Sequence, residues 1–306
     1  MESDFRRAQE DKNMLTGAAR LLDKPWSQVK FAIIGLGLIG GSYAKALRQL
    51  GVGGIIGVEL NEAVLRDAIK QGIIDVGVTE AGEELRQADV IICAVYPEAI
   101  VSFVKSSVRY FKNDVLLTDV AGIKQNLPAA VQGLLLPGME FISGHPMAGR
   151  QGSGLAMASA DIFTNANYII VPTAQNTAAA VKWLENFAKA LGCRNTVQVT
   201  PEQHDGIIAY TSNLPHILAV SLMDSASFDD KTKYFVAGSF RDATRVADIN
   251  PELWSSLFLN NKDHVIDEID KFTAQLQIWR QALAAGDAET LKKLMATSAQ
   301  RRKELY

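Results

Sequence analysis

The sequence predicts an α/β N-terminal half followed by an all-α C-terminal half. Three observations carry that expectation. Short apolar runs alternate with amphipathic segments from Val29 to Val199, the pattern of strands joined by helical crossovers. The first of these runs feeds a glycine-rich turn, Gly35-Leu36-Gly37-Leu38-Ile39-Gly40. Beyond Thr200 the apolar residues recur at helical spacing and the β-rich runs stop. The division is residues 1–28 as a polar extension, 29–199 as the dinucleotide-binding domain and 200–306 as a helical domain.

With 306 residues the chain is long enough for two cores. Apolar residues at 48% and charged residues at 21% are ordinary for a soluble globular protein. A formal net charge of −3 argues against a general nucleic-acid or membrane-surface binder. An anionic ligand would need local cations instead. Cys93 and Cys193 lack metal-site or disulfide spacing, which fits a reducing compartment. The first 27 residues have no apolar core of signal length, and no apolar run approaches a membrane span. The chain is expected to be cytoplasmic.

Val29 to Ile34 reads as a buried strand running into the glycine turn, then a helix from about Ser42 that Gly51 stops. A second strand, Ile55 to Glu59, follows at once. In that context the turn is a dinucleotide fingerprint. Gly35 permits the tight turn, Gly37 admits the pyrophosphate, and Gly40 lets helix and strand pack closely. Leu36, Leu38 and Ile39 bring their backbone N–H groups to the same helix N-terminus. Glu59 stands where an acid reads the adenosine ribose and repels a 2′-phosphate, which favours NAD over NADP.

The alternation continues with a helix from Glu62 to Lys70, a strand from Asp89 to Val95, a helix to about Val108 and a strand from Val115 to Val120. Met139 to Ser143 is a short strand that delivers His145 within Gly144-His145-Pro146-Met147. Parallel connectivity would bring Val95, Asp119 and the segment 144–151 to one sheet edge, around a bound nicotinamide. Lys124 either reaches that edge or opens a solvated helix. Taken alone, His145 reads as a turn residue more readily than as a catalyst. A helix to Phe163, a strand from Tyr168 to Val171, a helix from Ala178 to Leu191 and a strand from Asn195 to Val199 complete the domain.

The second half opens with Thr200-Pro201-Glu202-Gln203, a capping box with proline at the first helical position. Pro215 lies inside the helix that follows, which predicts a kink beside Ser212 and His216. Those two residues are four apart and share a face; a kinked core helix explains them equally well. Arg241 and Arg245 project from one face of the next helix, with Asp242 able to hold Arg245. Asn250-Pro251-Glu252 opens a helix carrying Trp254. Two long amphipathic helices, from about Asn261 to Ala285 and from Asp287 to Glu304, suit a homodimer interface.

Together these stretches resemble the prephenate/arogenate dehydrogenase family of tyrosine biosynthesis. The likeness rests on Gly35 to Ser42, Gly144-His-Pro-Met-Ala-Gly149, Ser153-Gly154, His204-Asp205, Ser212-Asn-Leu-Pro-His216, Phe240-Arg-Asp-Ala-Thr-Arg245 and Pro251-Glu-Leu-Trp254, in that order. It implies a Rossmann-type domain and an NAD-linked oxidative decarboxylation of prephenate. By the resemblance His145 accepts the proton of the substrate hydroxyl, and Arg245 grips a carboxylate. Ser212, His216 and Trp254 line the pocket, and His204 and Asp205 support Arg245 and local hydrogen bonding.

The chain departs from the family pattern in four places. Gly122 stands where a serine commonly orients the catalytic histidine, and Asn213 where the Ser-His-Leu-Pro-His pattern has its first histidine. Gln151 replaces a frequent glutamate and Ser239 a frequent glycine. Arg150, at the position that is acidic in arogenate-preferring members, predicts prephenate over arogenate. The alternatives are an arogenate or dual-specificity enzyme, another reductase of the same two-domain plan, and a catalytically silent NAD-binding regulator. The chain ends soon after the helical domain, so neither a separate regulatory domain nor a fused mutase is expected.

Overall fold

The computed structural model describes residues 17–150 and 152–305. They divide into two compact units, with the boundary between Asp205 and Gly206.

The first unit is built on an eight-stranded sheet in the order β3-β2-β1-β4-β5-β6-β7-β8. The strands are β1 Lys30–Ile34, β2 Gly54–Val58, β3 Val76–Val78, β4 Val90–Cys93, β5 Leu116–Asp119, β6 Glu140–Pro146, β7 Asn167–Val171 and β8 Asn195–Gln198. Strand order reverses beside β1, where the chain goes outward to β2 on one side and returns as β4 on the other. That reversal opens the crevice in which open α/β sheets bind ligands. Both faces are covered, because successive residues of β1 enter different cores. Phe31 and Ile33 pack in one, Ala32 and Ile34 in the other.

Several elements depart from the sequence reading. β3 is only three residues long and half exposed, too short to give an apolar run. β6 continues through His145 to Pro146, so the histidine lies within the strand rather than beyond it. Among the described residues between Pro146 and Phe163 no α-helix forms. Gly152 at φ 105° and Gly154 at φ 78° hold left-handed backbone there, and only the 3-10 turns Leu155–Met157 and Ala160–Phe163 remain. Without a crossover helix the chain returns antiparallel, pairing His145 with Ile169, and the sheet is mixed rather than wholly parallel.

The polar extension also needs correction. Residues 1–16 lie outside the described residues, but from Gly17 onward the segment joins the core. Ala18 and Leu21 of the helix Gly17–Leu22 are buried. The Trp26 ring sits 6.1 Å from that of Trp183 and 5.8 Å from that of Phe187. Such aromatic contacts contribute beyond their buried area.

The second unit is helical: Leu214–Met223, Gly238–Thr244, Pro251–Asn260, Lys262–Ala285 and Ala288–Leu305. The capping box forms as its residues predict: Thr200 N donates to Gln203 Oε1 at 3.0 Å, and Gln203 N donates to Thr200 Oγ1 at 3.2 Å. The kink is a π-turn over Ala209–Asn213, ending two residues before Pro215. A proline has no N–H to give the preceding turn and its ring crowds a carbonyl there, so a widened turn relieves both problems. The sequence reading found no apolar run of membrane-spanning length. The helical run Pro201–Met223 does meet that length and mean hydropathy. It also carries His204 and Asp205, both buried and hydrogen-bonded within the first unit.

Candidate active site

The glycine turn is tightly cornered. A Cβ on Gly35 would lie 2.6 Å from Val95 Cγ1 and 2.8 Å from the Ala94 carbonyl oxygen, and one on Gly40 would run into the Gly35 carbonyl oxygen. Gly37 faces open space, with no atom within 4 Å of its would-be Cβ. The helix Leu38–Gln49 starts there, so its free N–H groups border a surface shaped for a phosphate. Glu59 Oε2 accepts from Leu36 N at 2.9 Å and Oε1 from Asn61 N at 3.0 Å. The carboxylate is thus fixed at the mouth of a cleft of about 500 Å³, with Val95, Phe103 and Tyr110 on its walls. Leu36 itself is fully buried, and its N–H is taken by Glu59 rather than left for a phosphate. The residues present fit a dinucleotide with a free ribose diol.

At the sheet's carboxyl edge lies a charged brace. Asp119 ends β5 and is fully buried. Its Oδ1 accepts from Ser143 Oγ at 2.6 Å and Gly144 N at 3.3 Å. Its Oδ2 accepts from Lys124 Nζ at 2.5 Å and Ala121 N at 2.9 Å. Both carboxylate oxygens are committed inside the protein, so the Asp119 side chain acts as a brace at this edge. Lys124 is also fully buried, and its Nζ donates a second bond to the Gly144 carbonyl at 2.7 Å. Burial pushes Lys124 below the ordinary lysine value, against the pull of Asp119. The pair clamps the backbone directly before His145.

His145 is half-buried on β6. Its Nδ1 lies 2.9 Å from His204 Nε2. His204 Nδ1 in turn lies 2.6 Å from Asp205 Oδ1. Asp205 also accepts from Lys124 N at 2.9 and 3.1 Å and from Gln125 N at 2.7 Å. His204 and Asp205 sit in the first two turns of the helix Pro201–Ile208, and both are buried. The resemblance gives this pair to the support of Arg245 and local hydrogen bonding; its hydrogen bonds include those to His145 and the 124–125 backbone. They also tie the start of this helix, through Asp205, to the first compact unit. Burial lowers the pKa of His145 well below the ordinary 6.5, reinforced by Lys124 and His204. Burial lowers that of His204 too, opposed by its bond to Asp205.

Reasoning from sequence alone missed this constellation. Lys124 had the signal of a lysine five residues after a strand-ending aspartate, and Asp205 that of an acid next to a histidine. Neither signal names a partner, because the contacts join residues 80 positions apart. Arg150 is exposed after β6, and Gly122 lies half-buried in the loop between β5 and Lys124.

Within the second unit, His216 Nδ1 donates to the Ser212 carbonyl at 2.8 Å. The ring of Trp254 lies over that of His216 with centroids 3.6 Å apart, tilted by 31°. Burial lowers the pKa of His216, opposed by the Ser212 carbonyl and helped by Arg245. The predicted Ser212, His216 and Trp254 therefore form one group, with Arg245 near enough to act on its charge. Arg241, Asp242 and Arg245 are exposed on or just past the helix Gly238–Thr244. Asn213 turns inward and accepts from Asn261 Nδ2 at 3.0 Å, so it serves the helical core.

Two family models match the chain in tandem. Residues 43–197 match the model of the prephenate dehydrogenase nucleotide-binding domain, and residues 200–297 that of the prephenate dehydrogenase dimerization domain. The prephenate dehydrogenase of Bacillus subtilis is 34% identical over 286 residues, 89% of this chain and 75% of that protein. The cyclohexadienyl dehydrogenase of Zymomonas mobilis is 30% identical over 266 residues, 85% of this chain and 90% of that protein. Among solved structures, prephenate dehydrogenase from A. aeolicus in complex with hydroxyphenyl propionate and NAD+ superposes with TM-score 0.83 at 28% identity, covering 92% of this chain and 99% of that one. Synechocystis arogenate dehydrogenase superposes with TM-score 0.79 at 25% identity, covering 91% and 100%. With both domain models matched in tandem, the chain belongs to the prephenate dehydrogenase family.

Proposed function

We propose that this chain oxidatively decarboxylates prephenate to 4-hydroxyphenylpyruvate and CO2, with NAD as hydride acceptor. The observation that carries the reading is His145, a histidine held neutral on the same sheet edge as a cornered glycine turn. The B. subtilis relative bears the name of this activity, and the A. aeolicus structure holds NAD+ with a hydroxyphenyl ligand.

NAD, when bound, takes the hydride released from C4 of the substrate ring. The chain's own residues bind, orient and move a proton. Gly35, Gly37 and Gly40 admit the pyrophosphate at the helix N-terminus, and Glu59 accepts from the ribose hydroxyls. Glu59 also repels a 2′-phosphate, the basis for NAD over NADP. His145, neutral at pH 7, takes the C4 hydroxyl proton through Nε2. By the resemblance Arg245 grips a carboxylate with its planar fork, and Ser212, His216 and Trp254 shape the pocket wall. Loss of CO2 aromatises the ring and drives the reaction, so positioning is most of the catalytic task.

Arg150 follows His145 by five residues and stands where arogenate-preferring members carry an acid. A guanidinium there repels the ammonium of arogenate and tolerates the keto side chain of prephenate. The Zymomonas relative, named a cyclohexadienyl dehydrogenase, supports the second reading, turnover of both substrates. Assembly as a homodimer through the C-terminal helices accords with the dimerization-domain match and with exposed Ile266, Leu276 and Leu283 on the helix Lys262–Ala285. A cytoplasmic setting accords with two free, buried cysteines.

The test is NADH formation with each substrate and each cofactor. Prephenate with NAD is expected to exceed arogenate in kcat/KM by about tenfold or more, equivalent to ~1.4 kcal/mol of discrimination. Equal values, or a preference for arogenate, contradict the role of Arg150. No NADH from prephenate contradicts the function itself.

A further inference from the structure

We propose that Asp205 and His204 form a positioning relay that fixes the tautomer of His145 and stabilises it while it holds the substrate proton. The proposal rests on His145 being the proton acceptor and says what makes it one in a chain that has Gly122 at the position of the usual serine.

Hydrogen-bond logic orders the relay from its buried end. The Asp205 carboxylate accepts backbone N–H bonds from Lys124 and Gln125, so it is an acceptor toward His204 as well. His204 Nδ1 therefore carries the hydrogen of the 2.6 Å contact. Neutral His204 then presents a lone pair at Nε2, and the 2.9 Å contact obliges His145 Nδ1 to donate. His145 is left with its own lone pair at Nε2. Each tautomer follows from the carboxylate at the end of the chain.

Proton balance explains why such a base has to be supported from behind. The C4–H bond breaks with its electron pair, which leaves as hydride, and the hydroxyl proton passes to His145 Nε2. The C1–carboxylate bond then breaks, CO2 departs, and its electron pair enters the ring and ends on the C4 oxygen. That oxygen becomes the phenol hydroxyl, so His145 returns the same proton and none is released overall. In the interval His145 is an imidazolium. The charged or titratable groups around it are His204 on the helix Pro201–Ile208, Asp205 behind His204, and Lys124 with Asp119 on the β5 side. Lys124 is paired with Asp119, whereas Asp205 is aligned with the imidazolium through His204. With His204 2% exposed and Asp205 fully buried, water does not replace either link.

The test combines a direct reading of the tautomer with kinetics. Nitrogen-15 NMR of the full chain, with His145 assigned by difference from His145→Asn, is expected to show Nε2 unprotonated near neutral pH. In Asp205→Asn the new amide N–H donates to His204 Nδ1, reverses both rings and places the hydrogen on His145 Nε2. His204→Leu is expected to lower kcat by about 10²–10³-fold, with KM for prephenate and NAD affinity within about threefold. His204→Gln keeps an acceptor oxygen for His145 Nδ1 and is expected to recover about tenfold of that loss. Its acid limb in kcat is expected to differ from wild type, a change that packing damage alone does not produce. A wild-type His145 protonated at Nε2, or a His204→Leu kcat within about threefold of wild type, overturns the relay. Failure of the wild type to oxidise prephenate overturns the reading of His145 as acceptor, while the NMR result still decides the tautomer.

Discussion

Lys124 shows how far a single residue can be read from sequence. Its type and its distance from Asp119 are legible, but its full burial is not, because burying a lysine requires partners supplied by the fold. The structure supplies Asp119 at 2.5 Å and the Gly144 carbonyl at 2.7 Å. Removing one member of such a pair leaves the other charged, buried and unmatched. Lys124→Met is therefore expected to cost about 3–5 kcal/mol in urea unfolding. A loss under about 1 kcal/mol would show that Lys124 does not brace the backbone ahead of His145. Glu59 is the opposite case. Its role follows from its place after the second strand, and the structure adds only that Leu36 and Asn61 hold the carboxylate in position.

At the scale of elements, the glycine turn was legible because each glycine answers a different local demand. Those demands separate on mutation. Gly40→Val puts a side chain into the Gly35 carbonyl and is expected to destabilise the fold by about 1–3 kcal/mol, read by thermal unfolding. Gly37 has φ −69° and an open approach, so Gly37→Val is expected to leave unfolding within about 0.5 kcal/mol of wild type. NAD affinity, measured by titration calorimetry, should nonetheless fall at least about tenfold, because the new side chain occupies the phosphate's place. Equal damage to stability from both variants would refute this division. The stretch after His145 was not legible as non-helical, because an apolar pattern with small residues is compatible with a helix until the left-handed glycines are known. The π-turn was legible as a kink, since Pro215 demands one, but not as a π-turn.

Across the whole molecule, the two-unit plan was apparent from the change of hydrophobic period; the compact units part between Asp205 and Gly206, a few residues past the 199/200 division that the sequence suggests. His204 and Asp205 belong in sequence to the first helix of the second half, yet they bond to His145 and to the 124–125 backbone. Contacts between residues 59 positions apart leave no periodic trace in the chain. Those contacts prepare His145 to accept a proton. Its pKa lies below the ordinary 6.5, so the base stays neutral through the neutral range and is lost only as acid protonates it. The most direct measurement is prephenate turnover by His145→Asn beside its NAD affinity, with wild type followed from pH 8 downward. The role of His145 as proton acceptor requires a kcat lowered by about 10³-fold or more with NAD binding within about threefold, and a wild-type acid limb below pH ~6.5. A variant with near-normal kcat, or a wild-type acid limb well above that pH, would contradict it.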